Sequence, residues 1–251
     1  MTHPLFTIIT VTYNAGATVE PTMRSVAGQT FTLYEHLVID GASKDDTLAC
    51  VRKLETPRTH ITSEPDKGIY DAMNKGIARA TGDYLIFLNA GDSFAAPDTL
   101  QILADAITAN DWPGVVYGQT MLVDAQRNVI GPRHLTAPAR LDLQSFSHGM
   151  QVCHQAFTVL RRIAPLYDTR WRFSADYEWC IRCLQHSRKN VYVDAVTIHY
   201  LDEGMTTANH KASLRERFKI MAHYYGWLTA VSRHLSFIPR YLSRRSKNYR
   251  Q

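Results

Sequence analysis

The sequence predicts an open α/β fold with a mostly parallel sheet, and three observations carry it. Apolar runs rich in β-branched residues alternate with stretches of helical periodicity, in the order strand, helix, strand, helix, strand, helix, strand. The fourth run, Tyr84 to Leu88, is apolar throughout rather than at alternate positions, as a strand covered on both faces is. The runs lead into loops carrying Asn14, Asp40, Asp66 and Asp92, which sets four polar loops along one edge of the sheet. Open α/β sheets take their ligands at that edge.

In order, Thr7 to Tyr13 is a β-branched strand, ended by Asn14-Ala15-Gly16 and followed by a helix over Ala17 to Gln29. Glu35 to Ile39 is a second strand, closing on Asp40. Gly41-Ala42-Ser43 then turns the chain, and Ser43 or Asp45 caps a helix running to Leu54. His60 to Ser63 is a short third strand. The stretch from Asp66 to Asp92 is the centre of the pattern. Ile69, Ala72, Met73, Ile77 and Ala80 keep one helix face apolar, and Gly82 suits a left-handed helix end. Tyr84 to Leu88 then delivers Asn89-Ala90-Gly91-Asp92 to the ligand edge.

Beyond Pro97, Asp98 to Ala109 reads as a helix. Val115 to Tyr117 and Met121 to Val123 read as two strands around a turn. Residues 131–149, rich in Pro, Gly, His and Ser, read as a loop able to order on a ligand. Val152 to Leu160 is apolar except for His154-Gln155. A helix starts at Ser174, Val191 to Ile198 alternates like a strand, and Leu214 to Trp227 is helical.

Bulk properties narrow the classes. The 251 residues are 45% hydrophobic and 20% charged, ordinary for a globular protein. No apolar run is long enough to span a bilayer, and the N-terminus has no secretory pattern, so a cytoplasmic protein with reduced thiols is expected. Cys180 and Cys183 form a C-x-x-C inside a helical pattern rather than at a helix start, and Cys50 and Cys153 supply no second pair. Buried structural thiols are expected rather than redox or zinc chemistry. The net charge of +5 resides in the tail: Arg233 to Gln251 holds six basic residues and no acid, which leaves 22 basic against 23 acidic elsewhere. That tail, with Phe237, Ile238, Tyr241 and Leu242 among its charges, reads either as a solvated terminus or as a contact for anionic lipid headgroups. Nucleic acid is disfavoured because the body is not basic.

The first strand is followed by neither G-x-G-x-x-G nor a G-x-x-x-x-G-K-[ST] loop. Phosphates are then expected to be held through Mg²⁺ or Mn²⁺, with Asp92 as the carboxylate ligand.

The segments TIITVTYN, VIDGASKDDT, EPDKGIYDAMNKGI and FLNAGD, in that order and spacing, resemble family 2 glycosyltransferases of the GT-A fold. The likeness is greatest to single-domain enzymes of bacterial exopolysaccharide and O-antigen synthesis, such as the colanic acid transferases. CHQAF (Cys153 to Phe157), SADYEW (Ser174 to Trp179) and EGMTT (Glu203 to Thr207) resemble that group's later motifs, so the likeness spans residues 5–210. It implies a GT-A domain over 1–225, with a nucleotide-sugar half (1–92) and an acceptor half (93–225), and a helical, basic C-terminal extension over 226–251.

The resemblance also implies roles. Thr12, Tyr13 and Asn14 would line the nucleotide pocket, Asp40 would accept a hydrogen bond from the base, and Asp66 and Lys67 would lie beside the donor. Asp92 matches the last acid of the family's D-x-D metal motif. Here that motif carries one acid, with Asn89 at its head, and His199 is the candidate for a second ligand. Asp176 matches the catalytic base, and His154 and Gln155 would sit on the acceptor side. The implied reaction is a single inverting displacement from a nucleotide sugar, UDP-linked by preference, onto a hydroxyl of a lipid-linked or oligosaccharide acceptor. The Q-x-x-R-W motif of processive members is absent, since Tyr167 precedes Arg170-Trp171, so one sugar per encounter is expected.

Plainer readings stand beside these. Asp92 could cap a turn, Asp40 could close an Asx turn, Asp66 and Lys67 could be loop residues, Asp176 could be a helix cap, and His154-Gln155 a buried pair. A non-catalytic nucleotide-sugar binder or a sugar-nucleotide pyrophosphorylase are the alternative functions. The second would need a Gly-rich basic loop after the first strand, which is missing.

Overall fold

A computed structural model describes residues 3–202 and 210–235. The first half is built as the sequence predicts. β1 (Phe6–Thr12), β2 (Tyr34–Asp40), β3 (Thr59–Ser63) and β4 (Tyr84–Phe87) pair in parallel in the order β3-β2-β1-β4. The pairing runs Ile9 beside Leu37 and Thr10 beside Val38, so these neighbours look to opposite faces. α3 (Ile69–Arg79) packs on the Ile9 face, where Gly76 lies so close to Ile9 that a Cβ would sit 2.5 Å from its Cγ2. α1 (Val19–Ala27) and α2 (Thr47–Lys53) cover the other face through Val19, Met23, Val38 and Val51.

Beyond β4 the sheet becomes mixed. It continues through β8 (Phe157–Leu160), β6 (Val115–Val123), β9 (Asn190–Leu201) and β5 (Ser93–Phe94), with β7 (Val129–Pro132) paired to β6. β4–β8, β8–β6, β6–β7 and β9–β5 are antiparallel, whereas β6–β9 is parallel. α4 (Thr99–Ala109), α5 (Ala175–His186) and α6 (His210–Tyr225) complete the elements, and residues 227–235 are also helical.

Four local expectations are corrected. Residues 115–123 form one strand rather than two around a turn; the irregularity is a register shift against β9 between Tyr117 and Thr120. The 131–149 segment is not all loop, because it finishes β7 and contains a 3₁₀ turn over Leu143–His148, boxed by Asp142 and Ser145. Ser43 does not cap α2: its hydroxyl turns to Asp40, while Asp45 accepts from Thr47 N at 3.1 Å. Gly82 is not a left-handed helix end. α3 stops at Ala80 in extended conformation, and Gly82 instead passes against β1, where a Cβ would lie 2.7 Å from both Phe6 C and Thr7 N. Its N–H donates to Thr7 Oγ1 (2.9 Å) and to the Glu35 carboxylate (3.2 Å), which fastens the entry of β4 to its neighbours.

The cysteines are free; Cys153, Cys180 and Cys183 are buried, as expected of structural thiols. No helix among the described residues is long and apolar enough to cross a membrane. The EGMTT segment and residues 236–251 of the tail lie outside the described residues.

Gly82→Ala should destabilise the protein by about 3 kcal/mol, because the obstructing atoms are backbone and cannot move aside. Urea unfolding measures this, and an unchanged midpoint would mean that β1 yields after all.

Candidate active site

The parallel strands bring three polar side chains to one edge. Asp40, at the end of β2 and fully enclosed, accepts from Thr12 Oγ1 (2.9 Å), Ser43 N (3.0 Å), Ser43 Oγ (2.5 Å) and Ser63 Oγ (2.7 Å). Burial alone would raise its pKa, but the hydrogen bonds from Ser43, Ser63 and Thr12 outweigh it and hold the carboxyl below its ordinary value. These four donors fill the acceptor sites of one carboxylate. Asp40 therefore organises the pocket floor, and it can meet a base only if one of the hydroxyls turns away. Asn14, at φ 48°, accepts from Lys44 N through its side chain and donates from its backbone to Ser43 Oγ. Tyr13 is 65% exposed, and its ring and the Asp66 carboxylate both press on Gly41, where a Cβ would sit 2.4 Å from Asp66 Oδ2. Tyr13 and Asp66 thus share one wall of the crevice. The Lys67 side chain is exposed beside them, while its N–H is held by Asp71.

Asp92 lies at the join of the two halves. It is 4% exposed; Oδ2 accepts from Gln155 Nε2 (2.8 Å) and Oδ1 from Leu201 N (3.0 Å). Burial pushes its pKa up to about 7, partly offset by those two donors and by the charge of Arg127. The preceding turn is pinned twice. Thr22 Oγ1 donates to Asp92 O (2.6 Å) and accepts from Gly91 N (3.0 Å), and Gly91 takes the left-handed conformation, φ 99°. From the β6–β7 turn, Arg127 donates to Gly91 O and Ser93 Oγ. Arg127 itself has φ 69°, a conformation that costs an L-residue about 1–2 kcal/mol.

Among the described residues, no three His, Cys, Asp or Glu side chains converge as a metal cluster. The donors that fit a hard cation are oxygens. Each Asp92 oxygen keeps a lone pair beyond its single N–H partner, and Asn89 Oδ1 is shielded from water without any hydrogen-bond partner. With diphosphate and water completing the shell, such a set suits Mg²⁺ or Mn²⁺. His199 makes no hydrogen bond to Asp92: the β9 group bonded there is the Leu201 amide, while His199 stands opposite Ser93, with its pKa lowered by burial and by Arg127.

Asp176 enters the crevice from the other half, in the first turn of α5. It is half-buried, and the Tyr70 hydroxyl of α3 donates to Oδ1 at 3.2 Å. Behind it stands an aromatic wall. Tyr167 stacks on Trp179 (4.9 Å) and on Tyr70 (5.5 Å), and Phe87 stacks on His154 (5.0 Å). His154 is 4% exposed and its Nε2 is 2.5 Å from the Tyr167 hydroxyl. His154 and Gln155 are thus brought to the site as supports, one for the wall and one for Asp92. Tyr70, Thr22 and Arg127 complete the site, and only Tyr70 lay within a quoted motif. Arg127 gave no local signal, because its reach depends on the β6–β7 pairing.

Burial lowers the His154 pKa to about 4, with the Asp176 charge acting the other way. Below about pH 6.5 the unfolded chain takes a proton that the folded ring refuses until about pH 4. The resulting stability is whole above 6.5 and is lost as pH falls through that window, about 3 kcal/mol across it. Urea unfolding of the wild type and His154→Gln at pH 7, 5.5 and 4 should show the two midpoints converging in acid; parallel curves would mean that the ring titrates normally.

Comparison with known proteins bears on the family and the fold. The model of glycosyl transferase family 2 matches residues 7–164. A PGL/p-HBAD biosynthesis glycosyltransferase of Mycobacterium bovis is 34% identical over 194 residues, covering 74% of this chain and 72% of that protein. An uncharacterized glycosyltransferase of Mycobacterium tuberculosis, Rv1514c, is 34% identical over 184 residues, covering 71% and 68%. Among solved structures, S. aureus TarS 1-349 in complex with UDP-GlcNAc has a TM-score of 0.72 at 17% identity, covering 92% of this chain and 73% of that one. The mannosyltransferase PcManGT of Pyrobaculum calidifontis, in complex with GDP-Man and Mn²⁺, has a TM-score of 0.59 at 17% identity, covering 95% and 76%. Those likenesses establish the mixed α/β GT-A fold, and the family match, extending over more than half of the chain, establishes that it belongs to glycosyl transferase family 2.

Proposed function

We propose that this glycosyltransferase is an inverting, non-processive enzyme of surface-glycan synthesis, taking one sugar from a UDP-sugar to a hydroxyl of a lipid-linked or oligosaccharide acceptor. Residues 1–92 would hold the donor and 93–225 the acceptor. The observation that carries the reading is the contact between Tyr70 and Asp176, which fixes a carboxylate of the second half over the crevice of the first. Thr12, Tyr13, Asn14 and Asp40 form the nucleotide floor, with Asp66 and Lys67 beside the donor. Asp176 takes the acceptor proton as its oxygen attacks the anomeric carbon, and the diphosphate departs on the opposite face. Tyr70 holds one oxygen of that carboxylate and leaves the other to the acceptor. A cation bound at Asp92 and Asn89 would supply charge neutralisation for the departing diphosphate. The UDP preference is supported by the UDP-GlcNAc bound to TarS, and the cation by the Mn²⁺ in PcManGT.

The test is a screen of UDP-, GDP- and dTDP-sugars with Mn²⁺, reading thermal shift and release of nucleoside diphosphate. A UDP-sugar should raise Tm, and Asp176→Asn should keep that shift while losing about 10²- to 10⁴-fold in turnover. Undiminished transfer by Asp176→Asn would remove Asp176 as the base. A shift without any turnover in the wild type would favour a binding protein.

Peripheral attachment at the cytoplasmic face of a membrane is proposed for the C-terminal end. In the helix over 227–235, Trp227 is 65% and Leu228 85% exposed, just before a basic stretch. Deleting residues 233–251 should reduce co-sedimentation with vesicles containing anionic lipid while UDP binding stays unchanged; equal co-sedimentation would exclude the tail as the anchor.

A further inference from the structure

The end of the sheet away from the crevice carries a second cleft. β4 opens there at Tyr84, opposite Leu160 of β8. The run from Asp83 to Asn89, at about 3.3 Å per residue, sets that end up to about 20 Å from the Asp92 turn. A cavity of about 200 Å³ is lined there by Asp83, Trp112, Leu160, Arg161 and Arg162. Pockets for drug-sized ligands run from roughly 300 to 1,000 Å³, so this one suits a single ring. Trp112 is 47% exposed, and its indole lies over the buried Tyr84 ring, with centroids 6.0 Å apart at 28°. Asp111 and Trp112 follow α4 in consecutive left-handed conformations, φ 56° and 54°, which bulky L-residues rarely adopt. The turn is held there from both sides: Trp112 N donates to Ile107 O (3.2 Å), and the Tyr84 hydroxyl donates to Pro113 O (2.7 Å). A strained turn thus keeps a large apolar ring half in water, where it gains least from burial.

Charge gathers at the rim of this ring. Arg161 is fixed by its Nε, which donates to Gly82 O (2.6 Å), and by its backbone N–H, which donates to Asp83 O (2.7 Å). The Asp83 carboxylate already faces His3, with Oδ2 3.1 Å from Nε2. Among the described residues, neither the terminal nitrogens of Arg161 nor the guanidinium of Arg162 makes a hydrogen bond or an ion pair. The cleft is an aromatic platform edged by two guanidiniums whose donors are unspent.

An open indole face packs against the C–H face of a sugar ring, and the forked N–H groups of arginine take a carboxylate at the ring edge in pairs. We infer that this cleft binds a sugar residue carrying a carboxylate, a hexuronate-type unit of a glycan, at a site separate from the catalytic crevice. Size and charge choose the ligand together. A nucleotide would bring a base, a ribose and a phosphate to a space for one ring. A neutral hexose would fill the platform and leave both guanidiniums unanswered. So far from Asp92, the cleft holds a part of the glycan that is not reacting. The inference goes beyond the transferase reading above, and donor binding is independent of it.

The test is fluorine NMR of the full chain carrying fluorinated tryptophan at its four Trp positions, the Trp112 signal being the one missing from Trp112→Phe. The methyl glycosides of glucuronic, galacturonic and mannuronic acid are added in turn, with methyl glucoside, acetate and UMP as comparisons. At least one uronate should move the Trp112 signal saturably and leave the other three in place. Methyl glucoside and acetate each supply half of the recognition and should bind at least about tenfold more weakly. Arg162→Gln should weaken the uronate about tenfold while the thermal shift given by UDP stays as in the wild type. Arg162 is exposed and has no partner to lose, so this variant keeps the fold. Should Trp112→Phe fail to fold, calorimetric titration of the wild type and Arg162→Gln with the same uronates reads the same loss. Three results would each overturn the inference: no uronate binding at Trp112, UMP binding there as well as a uronate does, or Arg162→Gln binding uronate with wild-type affinity.

Discussion

The crevice depends on a carboxylate held out of water. Asp92 sits where the parallel half of the sheet ends and the mixed half begins, and its two oxygens are gripped from the second half, by Gln155 ahead of β8 and by the Leu201 amide at the end of β9. The grip makes the two halves one object. Because burial raises the Asp92 pKa to about 7, positive charge beside it favours the ionised form. Arg127 already provides part of that charge from the β6–β7 turn.

Asp176 is treated differently. It stays half-buried and is held by a neutral hydroxyl from across the crevice rather than by a cation. The Tyr70 contact sets the position of one oxygen and leaves the other open to the crevice. The aromatic wall of Tyr167, Trp179, His154 and Phe87 supplies the rigidity behind it, so the carboxylate proposed as base leans on packing rather than on charge.

Much of this was legible in the sequence, and what was missed has a common cause. Strands β1 to β4 and their helices follow from hydrophobic periodicity, and the edge residues Thr12, Asp40 and Asp92 follow from the strand ends. Where each such residue sits along its own strand is local information. Which residues partner it is not: Gln155 meets Asp92 across 63 positions and Tyr70 meets Asp176 across 106. Gly82 was misread for the same reason. A glycine after a helix has a common local explanation, and the true one, a backbone crossing against Phe6 and Thr7, exists only once the sheet is assembled. His199, the candidate second ligand, pairs with Ser93, and the β9 group bonded to Asp92 is the Leu201 amide, a partner that only the assembled sheet reveals.

The saturation of Asp40 has a consequence for what the pocket floor can read. Ser43 and Ser63 both spend their protons on that carboxylate, and Ser43 also receives the Asn14 amide. What these hydroxyls turn outward is therefore lone pairs. For the nucleotide proposed to bind here, the floor is a plate of acceptors, complementary to a ring N–H and indifferent to a ring nitrogen without one. A buried anion has thus been converted into neutral polarity one atom closer to the crevice, so under the proposed function the choice of base would follow the serines rather than the charge beneath them.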